Sequence, residues 1–183
     1  MLKSYRAMGA LTVTLLSIGL VFGIYTVRHP RSRSQGGKLI GASEALPIAP
    51  EFSLTDLNGQ PLKLSSFHGK VVLIDYWATW CAPCKIEIPR LIVLQNKYKA
   101  QGLQVIGLSM DDGPEPVRIF ARELGINYPI ALGNVKVAEA YGGVLGLPIA
   151  FLIDRQGRIS RKLVGDAEMQ SIESDVQKLL RQP

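Results

Sequence analysis

Residues 77–89 read Trp77-Ala78-Thr79-Trp80-Cys81-Ala82-Pro83-Cys84-Lys85-Ile86-Glu87-Ile88-Pro89, and they hold the only two cysteines and both tryptophans of the chain. The block follows an apolar run, Val71-Val72-Leu73-Ile74, that reads as a buried parallel strand. A Cys-x-x-Cys that follows a strand and opens a helix points to thiol–disulfide chemistry. Partial positive charge and free N–H groups at a helix N-terminus stabilise a thiolate. Two cysteines one helical turn apart also close a small disulfide ring, with the first sulfur exposed and the second shielded. Two other readings of the pair are weaker. Zinc needs about four ligands, and beyond the cysteines the chain offers only His29 and His68, far apart in polar surroundings. No metal is expected. A disulfide this local closes too short a loop to serve mainly as a staple.

Asp75 interrupts the apolar strand just before the motif. A carboxyl group there is desolvated, which raises its pKa. Trp80 adjoins Cys81 and Trp77 ends the strand. Lys85 and Glu87 read as solvated helix residues, and His68 as a surface turn residue.

The block Ile74-Asp75-Tyr76-Trp77-Ala78-Thr79-Trp80-Cys81-Ala82-Pro83-Cys84-Lys85, with Pro89 five residues after the second cysteine, resembles the active site of thioredoxin-fold oxidoreductases. Gly146-Leu147-Pro148-Ile149-Ala150-Phe151-Leu152-Ile153-Asp154 resembles the cis-proline segment of the same family. The upstream and intervening segments are similar to the membrane-anchored TlpA/ResA-like (redoxin) subgroup. The resemblance covers about residues 47–182. It implies that Cys81 is the attacking thiolate, Cys84 the resolving thiol, and Asp75 the general base for Cys84. It implies a cis peptide between Leu147 and Pro148, placing the Leu147 backbone beside the sulfurs to pair with an extended substrate. Trp80 then belongs to the docking surface, Trp77 packs beneath it, Pro83 restricts the loop, and Pro89 lies in the helix that follows. No cofactor is implied. The implied partners are disulfide-containing proteins and a membrane electron donor.

One departure bears on the pathway. Some relatives that reduce cytochrome c precursors carry an acid between the cysteines or in the inserted segment. Here Ala82 follows Cys81, while the insertion offers Glu115, Glu123 and Glu139. Cytochrome c maturation is thus one option beside general redox homeostasis. Disulfide donation rather than reduction also stays open. A thiol peroxidase is a further alternative, but such enzymes use Pro-x-x-x-Thr-x-x-Cys, whereas Ala78 stands three before Cys81 and Thr79 only two before. A docking module without turnover is disfavoured by the joint presence of both cysteines, Asp75 and Pro148.

The elements that must position these residues follow from pattern. Phe52–Asp56 and Pro61–Leu64 alternate around Asn58-Gly59, a hairpin signal. Residues 71–77 form the strand into the motif, and a helix is predicted from about Ala82 to Ala100, kinked at Pro89. Leu103–Leu108 read as a second buried strand. Short helices are predicted over Pro116–Leu124, ended by Gly125, and over Val135–Tyr141. Ile149–Ile153 and Arg158–Val164 make a closing hairpin around Asp154-Arg155-Gln156-Gly157. A last helix begins at an Asp166 cap, with Met169, Ile172, Val176 and Leu179 at helical spacing. The fold class is α/β: a thioredoxin-like domain with a central mixed sheet flanked by helices. It carries an N-terminal β-hairpin and a helix-containing insertion over 111–145.

The 183 residues carry a formal net charge of +6. All of that excess lies before residue 41, in Lys3, Arg6, Arg28, Arg31, Arg33 and Lys38. Residues 41–183 hold 15 basic and 15 acidic residues. A nucleic-acid footprint would need a basic face on the folded domain, so no nucleic-acid partner is expected. The 21 residues from Ala7 to Val27 carry no charge, long enough to cross ~30 Å of hydrocarbon as a helix. No convincing cleavage site follows, which favours an uncleaved signal-anchor over a removed signal peptide. The expected organisation is a membrane anchor over 1–27, a flexible tether over 28–46, and the redox domain over 47–183. Basic residues flank the span on both sides, slightly opposing export of the C-terminal part. The family resemblance implies that the domain lies on the extracytoplasmic face of a bacterial inner membrane.

Overall fold

The computed structural model describes residues 47–165, 168 and 171–183. The predicted anchor and tether, the Asp166 cap and Met169 lie outside the described residues. Strand β3 (Val71–Trp77) is buried along its whole length. It pairs in parallel with β4 (Leu103–Ser109) and antiparallel with β6 (Ile149–Ile153). Strand β5 (Ile130–Leu132) extends the sheet beyond β4, and β7 (Ile159–Val164) extends it beyond β6. The order is β5-β4-β3-β6-β7, so the strand leading to the cysteines lies at the centre. A central strand buried on both faces should be apolar throughout, and Asp75 is its exception.

Alternation along β3 sends Val71, Leu73 and Trp77 to one face and Val72, Ile74 and Tyr76 to the other. Helix α1 (Ala82–Tyr98) covers the first face with Cys84, Ile88, Leu91 and Leu94. Each fully buried leucine or isoleucine there contributes about 1.5–3 kcal/mol. The same cluster takes Val117 of α2 (Pro114–Leu124) and Ile172, Val176 and Leu179 of α4 (Ile172–Leu180). On the other face, Val137 and Ala138 of α3 (Val135–Ala140) pack with Phe52 and Leu62. Pro89 lies inside α1.

The N-terminal hairpin pairs β1 (Ser53–Thr55) with β2 (Pro61–Lys63). Its turn is wider than Asn58-Gly59 alone suggests. The Asp56 carboxylate accepts from Asn58 N and Gln60 N, both at 2.8 Å, and this local capture outcompetes a two-residue turn. Helix α2 begins at Pro114, two residues before the predicted start. Proline is tolerated throughout a first turn, whose N–H groups have no intrahelical partner. Gly125 closes that helix at φ 64°.

Candidate active site

The site is built where β3 passes into α1. Cys81 is the extended cap residue of α1, and its Sγ accepts from Cys84 N at 3.3 Å. The first turn is thereby wound around the sulfur, which receives one of the otherwise unpaired donors of the helix end. Pro83 occupies that turn, where a missing N–H costs nothing. Cys81 and Cys84 form a disulfide with their Cα atoms 5.3 Å apart. Both cysteines are buried, Cys84 completely.

The loop before Cys81 is tied to the end of β4. Asp111 accepts from Thr79 N at 2.9 Å, from Thr79 Oγ1 at 2.6 Å and from Ser109 Oγ at 2.7 Å. Met110 N donates to Trp77 O at 2.8 Å. Asp111 is not singled out by sequence, because the residue it ties to the motif, Thr79, lies 32 residues upstream.

Asp75 is fully buried on the face of β3 that α1 covers. Its neighbours in register are Gly107 and Ala150, which bring no polar side chain. Burial raises its pKa to about 7, opposed in part by a hydrogen bond with the Glu87 side chain. Glu87 corrects the sequence expectation: it is not solvated but fully buried. It sits one turn beyond Cys84, on the same apolar stripe as Ile88 and Leu91. Lys85 and His68 are exposed, as are Glu115, Glu123 and Glu139 of the inserted segment. The Tyr128 ring approaches Gly107, where an added Cβ would lie 2.9 Å from Trp77 Nε1 and 3.4 Å from Tyr128 Cε2. Burial first, and then the charges of Asp75 and Glu87, keep the Tyr128 hydroxyl protonated well above the usual phenol range.

Trp77 is buried against Phe120, with ring centroids 5.5 Å apart. Trp80 projects from the loop with 68% of its surface exposed. The Leu147–Pro148 peptide is cis. Pro148 is buried, Leu147 half-buried, and Leu145 just before them is exposed.

A mixed sheet flanked by helices, with a Cys-x-x-Cys disulfide capping the helix after its central strand, defines a thioredoxin-fold thiol–disulfide oxidoreductase. The chain belongs to the AhpC/TSA family, whose model matches residues 47–162, and within it to the TlpA/ResA-like redoxins. The thiol-disulfide oxidoreductase ResA of Bacillus anthracis is 34% identical over 131 residues, covering 72% of this chain and 76% of that one. ResA of Geobacillus thermodenitrificans is 29% identical over 179 residues, 97% of this chain and 99% of the relative. Among solved structures, a thioredoxin-family thiol:disulfide interchange protein from Chlorobium tepidum superimposes with a TM-score of 0.71 at 28% identity, covering 76% of this chain and 99% of that one. The thioredoxin domain of a Bacteroides vulgatus thiol-disulfide oxidoreductase gives a TM-score of 0.64 at 31% identity over 73% of this chain and 99% of its own.

Proposed function

We propose that this oxidoreductase is tethered to the membrane by residues 7–27 and reduces protein disulfides on the extracytoplasmic side. The observation that supports the reading most is the seating of Cys81 Sγ at the N-terminus of α1, on the Cys84 N–H. In the reduced enzyme the same donors would favour a Cys81 thiolate, the species that attacks a disulfide. Cys81 forms a mixed disulfide, and one substrate sulfur leaves with the electron pair. Cys84 then attacks Cys81 Sγ, the second substrate sulfur departs, and the enzyme is left oxidised. Asp75, buried beneath α1, takes the Cys84 proton. Trp80 and the Leu147-Pro148 segment form the docking surface, supported by the exposure of Trp80 and of the neighbouring Leu145. Trp77, Pro83 and Pro89 shape the support.

A membrane electron donor would return the pair to the dithiol. Maturation of c-type cytochromes is one process served by such a reductant, and redox homeostasis of extracytoplasmic proteins is another. Peroxide reduction is less well supported, because Ala78 replaces the threonine three residues before the nucleophile.

The test is mixed-disulfide trapping. Full-length Cys84→Ser protein should accumulate substrate covalently bound at Cys81, released by added thiol. Cys81→Ser should trap none and lose disulfide reduction. Equal trapping through either cysteine would contradict the assignment of roles.

A further inference from the structure

The two ends of the five-stranded sheet differ in charge. Strand β3 finishes at one end, where Trp77 leads to the disulfide and the loop after β4 adds Asp111 and Asp112. At the other end β3 begins at Val71, β4 at Leu103 and β7 at Ile159, and β6 finishes at Ile153. The Arg155 guanidinium ties the segments of that second end together. It donates to Gly69 O at 2.8 Å, Gln101 O at 3.3 Å and Leu180 O at 3.2 Å. The approaches to β3 and β4, the β6–β7 turn and the end of α4 are thereby joined.

The same segments carry Lys70, Lys99, Arg158 and Arg181, all exposed. None of these four has an ion-pair partner among the described residues. Lys70 lies 5.7 Å from the Phe67 ring centroid. The charge of Arg155 faces carbonyl oxygens rather than a carboxylate. The acids at this end are Asp154, buried and accepting from Gln156 N and Arg158 N, and Glu51, which accepts from Ser65 N and Oγ. Residues 41–183 hold 15 basic and 15 acidic residues. The cationic excess at this end is therefore a separation of charge within a neutral domain, which gives that end a field of its own.

The chain also enters the domain here. Pro47 O accepts from Ile159 N at 2.8 Å, and Ile48 bridges to Arg158. Residues 28–46 are all that separates this entry from the uncharged run 7–27.

We propose that this end of the domain is a lipid-facing surface, on which Lys70, Lys99, Arg158 and Arg181 bind the anionic phosphate headgroups of the membrane that holds the anchor. The proposal rests on the anchoring by residues 7–27 given above. Lipid is the partner because the chain entering at this end leads back to the proposed span, and nucleic acid is remote from the extracytoplasmic side. Clustered cations are drawn to an anionic bilayer within a Debye length, about 8 Å at physiological salt. The disulfide, at the opposite end of β3, then faces away from the headgroups and toward protein substrates.

Lysine acetylation of the full-length protein in nanodiscs tests this. In phosphatidylcholine–phosphatidylglycerol nanodiscs at low salt, Lys70 and Lys99 should react at least about threefold more slowly than in phosphatidylcholine alone. Lys85 and Lys136, near the starts of α1 and α3 at the disulfide end, should react equally in both. The slowing should vanish in about 1 M salt, where the Debye length is about 3 Å. An Arg158→Gln, Arg181→Gln double variant should recover most of the lost reactivity at both lysines and reduce a soluble disulfide substrate as before. Equal acetylation of Lys70 and Lys99 in the two lipids, or equal slowing at Lys85 and Lys136, would overturn the proposal. Undiminished slowing in the double variant would overturn the part given to the arginines. Co-elution with phosphatidylcholine nanodiscs reads the anchor separately. A protein that fails to co-elute refutes anchoring by residues 7–27, while its lysine pattern on the anionic nanodiscs still decides for or against the surface.

Discussion

At the residue scale, the chemistry rests on groups that sequence statistics place unevenly well. Two cysteines in one motif, and an aspartate inside an apolar strand, are unusual enough to identify alone. Glu87 was not, because a charged residue in a helix is ordinarily solvated. The signal lay in its position: Cys84, Ile88 and Leu91 mark the apolar stripe of α1, and Glu87 falls on it. Asp75 also makes a stability prediction. Its carboxyl releases its proton at about 7 in the fold but near 3.8 when unfolded. As pH rises between those values, the unfolded chain loses the proton first, so stability falls, and it levels off above them. Asp75→Asn should therefore stabilise the oxidised protein at pH 8 by on the order of 2–4 kcal/mol, with little effect at pH 3. Denaturant unfolding at both pH values measures this. An equal effect at both would contradict the buried, proton-retaining carboxyl.

At the element scale, β3, β4, α1 and the closing hairpin were legible because long apolar runs and helical spacing leave little choice. Strand β5 was not, because Ile130–Leu132 is only three residues long; it pairs with the end of β4 and bridges to Asp56 through Ala131. So short a segment has no periodicity to detect. The link from β4 to the motif was equally invisible, since it depends on Asp111 reaching back to Thr79. Asp111→Ala would leave Thr79 N–H, Thr79 Oγ1–H and Ser109 Oγ–H without their acceptor. We expect a loss of about 2–3 kcal/mol in unfolding free energy, together with a changed disulfide reduction rate as the Thr79-Trp80 loop loosens. Unchanged stability would mean that water replaces the carboxylate at no cost.

At the scale of the whole molecule, the described residues contain no helix long and apolar enough to cross a membrane. The proposed tether therefore rests on residues 7–27, whose uncharged length carries the argument. The charge distribution agrees with that division, because the excess of basic residues lies entirely before residue 41. Charge counting alone gives no clear orientation, since basic residues stand on both sides of the span. A reporter fused after Pro183 that functions only outside the cytoplasm should be active. Activity solely of a cytoplasmic reporter would contradict the extracytoplasmic placement.

The central claim is that the Cys81–Cys84 pair gives electrons to substrate disulfides. Its most direct test is the reduction potential of that pair in the full-length protein, equilibrated with defined thiol–disulfide buffers. The account predicts a value near or below roughly −230 mV, in the range of reducing thioredoxin-like proteins. A value near −120 mV, that of a strong disulfide donor, would contradict it.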